Sequence, residues 1–318
     1  MSSELKKILL ALGLLSWFAA CQKLPLPQNS RAEEQATAGR ATRDRYQQPK
    51  VLALIKEKYV TESSGIVAAS SPGIYWTHND SGDGPFLYAI DSSGEGRGVW
   101  RVTGATARDW EDIAAGPGPD RKKRYLYIGD IGNNNDRREE LVVYRLPEPN
   151  IIDEKGSSRK KPLLTYPAET IRIRYPDGPS DSETLLVHPR TGDLYVVTKA
   201  AFSSPVVYKA KAPLSAGNTV TLTRVADLDM PGLLGGVITG GEFSPDGRSV
   251  ALCDYLQGFE LILPVASKNF DDIWKQPITT VDLGKREQGE ALTYRLDGKA
   301  LIATSEGKSS PLIEVLRR

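Results

Sequence analysis

From Val51 onward the chain alternates short apolar runs with polar breaks. Tyr125–Ile128, Leu141–Arg145, Leu194–Thr198 and Val206–Ala210 are four or five residues long and rich in Val, Ile, Leu and Tyr. Clusters of Gly, Pro, Asn and Asp separate such runs, the pattern of β-strands joined by turns. No long segment carries the period of an amphipathic helix. The pattern predicts an all-β domain over 51–318.

The runs are organised by an internal repeat. Five segments open alike: Glu62-Ser-Ser-Gly-Ile66, Asp109-Trp-Glu-Asp-Ile113, Asp181-Ser-Glu-Thr-Leu185, Val237-Ile-Thr-Gly-Gly241 and Gln288-Gly-Glu-Ala-Leu292. Each begins a four-strand unit. The unit from Asp109 continues through Tyr125–Ile128, Leu141–Arg145 and Thr170–Arg174; that from Asp181 continues through Leu194–Thr198, Val206–Ala210 and Thr219–Val225. The last unit has room for only two further strands, and Val51–Val60 supplies its missing outer strand. The expectation is a five-bladed β-propeller of four-stranded blades, closed by an N-terminal strand paired with the C-terminal blade. Repetition around an axis leaves few exposed sheet edges. Six blades is the alternative, reached by splitting the long second unit. Phe243-Ser-Pro-Asp-Gly-Arg248 resembles the turn repeated in TolB-type propeller blades, which supports the architecture and is silent on activity.

The first fifty residues differ. Lys6 and Lys7 precede a thirteen-residue apolar stretch, Ile8–Ala20, short for a bilayer span and suited to a signal peptide. Phe18-Ala19-Ala20-Cys21 resembles the lipobox of bacterial lipoproteins, with Phe18 where Leu is usual. That resemblance implies a signal peptide over 1–20, a lipidated Cys21 and a cell-envelope address, at the outer membrane in a Gram-negative cell. Ordinary cleavage after the Ala residues is the alternative. Residues 21–50 are polar and read as a flexible tether.

Composition narrows the chemistry. The formal charge of +1 gives no global field for nucleic acid. With Cys21 and Cys253 the only cysteines and His78 and His188 the only histidines, thiolate–imidazole zinc sites have few ligands and a histidine-based triad has little to draw on. Cys253, within Val250-Ala251-Leu252, reads as a small buried hydrophobe. The basic runs Arg121–Arg124 and Arg159–Lys161 read as solvated hairpin tips.

The first strand of each blade lines a propeller's axis, so equivalent positions form rings. Aligned on their openings, the units give one ring of Ser64, Glu111, Glu183, Thr239 and Glu290. A second layer, nearer the mouth, holds Glu62, Asp109, Asp181, Val237 and Gln288. Converging carboxylates need protons or cations, and oxygen-only ligands favour a hard cation, Ca²⁺ over Mg²⁺. The ring resembles that of the calcium-activated nucleotidases (apyrases), five-bladed propellers with a Ser-Glu-Glu-Ser-Glu ring around an axial Ca²⁺. The resemblance covers the blade openings alone and implies a metal site at those five positions. The competing reading is structural, with the acids bonded to backbone amides of neighbouring blades.

Loops between second and third strands should surround the mouth, placing His78, Asp80, Asp130, Asn133, Lys199, Tyr255 and Glu306 there; Arg108, Lys285 and Arg286 lie beside blade openings. Asn79, Ser81, Asp83 and Gly84 match half of an EF-hand loop, but Ile90 stands where its Glu belongs, so a hairpin turn is expected. Two functions remain. One is a monomeric, membrane-anchored module that binds a small molecule or protein, pinned by Ca²⁺. The other is a metal-dependent hydrolase of phosphate esters or anhydrides, with mouth carboxylates as base and Lys199 or Arg108 stabilising charge. A glycan-active propeller is a third, lesser reading.

Overall fold

The computed structural model describes residues 45–318 except 136, 152–155, 202 and 233–235. The expected signal peptide, the Cys21 anchor and nearly all of the tether lie outside the described residues.

The chain first lays down β1 (Lys50–Leu54) and then five sheets in succession. The first contains β2 (Ser63–Ala68), β3 (Ile74–Asn79), β4 (Phe86–Asp91) and β5 (Gly96–Arg101). The second contains β6 (Trp110–Pro117), β7 (Arg124–Asp130) and β8 (Leu141–Pro147), then, after the short β9 (Leu163–Leu164), β10 (Glu169–Arg174). The third contains β11 (Ser182–Val187), β12 (Leu194–Thr198) and β13 (Val206–Ala210), then, after β14 (Thr219–Thr221), β15 (Thr223–Asp227). The fourth contains β16 (Gly240–Phe243), β17 (Ser249–Cys253), β18 (Gly258–Ile262) and β19 (Thr279–Val281). The fifth contains β20 (Gly289–Tyr294), β21 (Ala300–Ser305) and β22 (Pro311–Leu316) and takes β1 as its fourth strand. The first strands β2, β6, β11, β16 and β20 pack side by side around one axis. The fold is a five-bladed β-propeller, and the six-bladed alternative is removed.

The inner strands of every blade are buried on both faces, which explains why they read as nearly continuous apolar runs, whereas outer strands such as β1 and β15 are partly exposed. Successive side chains point to opposite faces of a sheet. In β2, Ile66 and Ala68 enter the core shared with the fifth blade, while Val67 enters the core shared with the second. In β6, Ile113 and Ala115 face the first blade and Ala114 faces the third. Cys253, fully buried between the fourth and fifth blades, fills the apolar role expected of it.

Two edges depart from the expected four-strand plan. β14 pairs in parallel with β10 of the preceding blade, while β15 completes its own blade against β13. The run expected as one strand over Thr219–Val225 is therefore two, broken at the buried Leu222, whose amide donates to Arg174. β9 likewise adds to the first blade beside β5.

The ring closes through β1 on β22, with Lys50 opposite Glu314 and Leu54 opposite Pro311. The closure begins earlier than expected: Tyr46 bridges Arg317, and its hydroxyl donates to the buried Glu260 of β18 at 2.7 Å. Arg317 donates to the same carboxylate at 2.9 Å, so Tyr46 and Arg317, facing each other across the closure, are both fixed to the fourth blade.

Candidate functional site

Four of the five ring residues share a backbone irregularity that the alternating pattern does not reveal. Ser63 pairs with Asn79 and Gly65 with His78, leaving Ser64 as an extra residue. Glu111, Glu183 and Glu290 are extra in the same way, between pairs Trp110–Asp130 and Asp112–Gly129, Ser182–Thr198 and Thr184–Val197, and Gly289–Ser305 and Ala291–Thr304. In the fourth blade the Thr239 amide and Gly240 both use Cys253 as partner. A β-bulge turns its extra side chain out of the regular alternation. Here the same device recurs in four blades, with Thr239 bonded just ahead of β16 in the fourth, and it frees the ring side chains from the cores between blades.

The five are not equivalent in their bonds. The Ser64 hydroxyl donates to the Glu111 carbonyl at 2.6 Å and the Thr239 hydroxyl to the Gly289 carbonyl at 3.0 Å. Each hydroxyl thus ties its blade to the next. Glu183 is ion-paired with Lys199, which lies 5.6 Å from the Tyr255 ring centre. Glu290 accepts from Gln288 at 2.8 Å and lies against Glu306. Glu111 meets further acids: Asp80, Asp109 and Glu111 each offer a carboxylate oxygen, all within 4.8 Å of one another. This acidic triad joins one ring residue, one residue of the mouth layer and one mouth-loop residue.

Blade two makes room for it. The amides of Asp80, Lys199 and Glu306 bond back to Glu62, Asp181 and Gln288 in their blades, and in blade two Gly132 bonds to Asp109. A Cβ on Gly132 would run into Glu111 Oε1 and Asp109 Oδ2, so the missing side chain creates the carboxylate cradle. Sequence alignment passed over Gly132; its signal is a glycine where three other blades carry charged residues.

Electrostatics agree with crowding. Burial, with the Asp80 and Asp181 charges, pushes Asp109 up to about 6. Burial, with Glu183, Asp80 and Asp109, raises Glu111 well above the usual carboxylate range. Glu290 is raised by burial, Glu183 and Glu306. Burial alone would lower the Lys199 ammonium, but the Glu183 carboxylate against it raises it, so Lys199 stays charged. Glu183 Oε2 is buried and accepts no hydrogen bond among the described residues.

Other expected mouth residues serve the scaffold. His78 is fully buried inside the first blade interface, its ring edge-on to Trp110 at 5.6 Å, with burial lowering its pKa; it does not line an open mouth. Asp130 is buried and paired with Arg138 at 2.8 Å. Asn133 accepts the Arg137 and Arg138 amides and its own amide donates to Asp181 at 2.7 Å. Tyr255 is buried beneath Lys199. Glu62 bridges Glu306 through the backbone and lies near Asp80 and Asp83. Asp83 accepts from Tyr88 at 2.6 Å and pairs with Arg159 at 2.9 Å, so the half-match to an EF-hand is a pinned turn. Arg108 is exposed, and its backbone amide donates to Asp130. Arg286 is buried and donates to the Asp254 carbonyl at 3.2 Å.

Farther along the axis the structural reading of an axial acid is met by residues outside the ring. Asp112 is buried and accepts the amides of Ile113 at 2.8 Å and Leu185 at 3.0 Å, joining two blades. Among the described residues Glu242 accepts only the Phe243 amide, and burial pushes it up to about 8 despite the Arg124 charge. An unfolded chain releases this proton near 4.5, whereas the folded chain keeps it to about 8. Between those values the folded state binds more protons, so stability falls as pH rises. Glu242→Gln should therefore leave stability unchanged at pH 4 and raise it by about 3 kcal/mol at pH 7. Urea unfolding at both pH values checks this; a gain independent of pH would count against it.

No family model matches this chain, and no curated protein does. Among solved structures, it is similar to a gluconolactonase from Xanthomonas campestris important in glucose secondary metabolic pathways, at 11% identity and a TM-score of 0.46, covering 86% of this chain and 95% of that one. It is also similar to a chain of a nidogen/laminin complex, at 13% identity and a TM-score of 0.39, covering 77% of this chain and 73% of that one. Both likenesses are distant.

Proposed function

We propose that the chain is a lipid-anchored binding module of the bacterial cell envelope whose propeller mouth holds Ca²⁺. The observation that carries this reading is the convergence of Asp80, Asp109 and Glu111 within 4.8 Å. Three carboxylates that close repel unless protonated or bridged by a cation. Ligands that are all oxygen, three of them carboxylate, suit Ca²⁺, whose larger coordination number accepts an irregular cradle. Two further features support the fit: the unpartnered Glu183 Oε2 beside Glu111, and the room left by Gly132.

The binding reading is favoured over the phosphate-ester hydrolase by how the cations are used. Lys199 is committed to Glu183 and packed on Tyr255, while Arg108 is exposed. A hydrolase of that kind needs positive groups aimed at the developing charge. The bound partner would be a small molecule or protein reaching the mouth from solution.

The test is thermal unfolding of chelator-treated protein titrated with Ca²⁺ and Mg²⁺. A ligand that binds only the folded state stabilises it by mass action. Ca²⁺ should raise the melting temperature by several degrees and Mg²⁺ by less. Asp109→Asn should remove the Ca²⁺ shift. An unchanged melting temperature at millimolar Ca²⁺ would sink the metal site, and Ca²⁺-dependent phosphoester turnover would favour the hydrolase.

A further inference from the structure

A cavity chemically distinct from the acidic mouth lies at the opposite end of the axis. The hairpins joining first and second strands close that end, and every blade contributes to a cavity of about 400 Å³. Its walls are mainly apolar, including Val67, Pro117, Pro189, Phe243, Pro245 and Leu296. The volume is in the range of small-molecule sites.

Two polar features give the cavity direction. Glu242 lines it and is 6% exposed; its Oε1 accepts the Phe243 amide, and Oε2 has no partner among the described residues. The hairpin between β6 and β7 brings Arg121, Lys122 and Lys123 to the wall, and Arg124 opens β7 beside them. Arg124 pairs with Glu148 at 3.1 Å and Lys123 with Asp120 at 3.7 Å, whereas Arg121 and Lys122 form no ion pair among the described residues. The basic run is exposed at a hairpin tip, as expected, and also forms the charged border of the cavity.

We propose that this cavity binds a small amphipathic organic anion. The acidic group lies beside Arg121 and Lys122, the apolar body fills the space between Val67, Phe243 and Leu296, and a polar atom at the inner end meets Glu242. An acid lacking the apolar body would forgo the burial that drives binding, and a neutral analogue would forgo the charge-assisted contacts at the rim. This site is separate from the acidic mouth and does not depend on the metal proposal.

The experiment uses the full chain and 2-naphthoate as probe, followed by calorimetric titration. Binding should be at least about tenfold tighter than for 2-naphthylmethanol or acetate, corresponding to about 1.4 kcal/mol. Arg121→Glu combined with Lys122→Glu, both exposed positions, should weaken 2-naphthoate at least about tenfold without changing the melting temperature. Leu296→Glu, which sets a like charge in the wall, should weaken 2-naphthoate as much, with some loss of stability because Leu296 also packs on the core. Equal binding of acid and alcohol, or binding untouched by both variants, would overturn the proposal. So would capture by anionic phospholipid vesicles without 2-naphthoate binding, because that outcome assigns the basic hairpin to a membrane surface.

Discussion

Glu260→Ala should lower the stability of the propeller by about 4 kcal/mol, because it removes the anion on which both sides of the ring closure converge. Glu260 sits on β18 with no exposed surface. Its Oε1 accepts the Tyr46 hydroxyl at 2.7 Å, the Tyr294 hydroxyl at 2.9 Å and Arg317 Nη2 at 2.9 Å. Burial raises both tyrosines, and the Glu260 charge raises them further, so both remain donors across the working pH range. Alanine would leave two buried hydroxyls and a guanidinium without their shared acceptor. Each orphaned polar group costs roughly 1–3 kcal/mol, more when charged. Glu260→Gln keeps an acceptor oxygen and should recover about half of the loss. Urea unfolding measures the difference, and limited proteolysis of the alanine variant should cut first in the chain leading into β1. A loss below about 1 kcal/mol would mean that backbone pairing with β22 secures the closure by itself.

Trp110→Ala should cost a similar amount, about 4 kcal/mol, and should also blunt the Ca²⁺ response. Trp110 is fully buried between the first two blades, near His78 and Tyr144, with Nε1 donating to the Thr106 carbonyl at 2.9 Å. Its neighbours in sequence are Asp109 and Glu111, two members of the acidic triad. Truncation would open a cavity at the root of the bulge that aims Glu111. Trp110→Phe should lose less stability, roughly 1–2 kcal/mol, and keep most of the Ca²⁺ shift. Thermal unfolding with and without Ca²⁺ separates the two effects. A destabilised Trp110→Ala protein with an undiminished Ca²⁺ shift would uncouple the tryptophan from the cradle.

The architecture was legible because turns and openings repeat at comparable intervals, and because inner strands buried on both faces must be apolar throughout. Strand partners were harder to read. The period of two says that Thr219–Val225 is extended, yet it cannot say that β14 joins the blade before and β15 its own. Alignment placed Ser64, Glu111, Glu183, Thr239 and Glu290 together without revealing that all but Thr239 are bulged residues, since an extra residue leaves no mark on composition. In the sequence His78 groups with Asp80, because the two lie in one polar run. Alternation along β3 instead sends it inward against Trp110. The division of the acids was also hidden. Lys199 reaches Glu183 across the strand pair, whereas Gly132 opens space beside Glu111, and neither follows from spacing along one strand.

The antiparallel seam between β1 and β22 also sets how the molecule would bear force. A pull on the chain preceding Arg45 reaches the seam at its Tyr46 end, where the Gln47 amide donates to the Leu316 carbonyl and the Arg318 amide to the Arg45 carbonyl. Loaded from that end, a ladder opens like a zipper, one pair at a time, so lengthening it would add little resistance. The Tyr46–Glu260–Arg317 junction stands where the load arrives and ties it into a neighbouring blade. Mechanical resistance of the closed ring therefore depends on a few side chains at the point of loading more than on the strand that completes it.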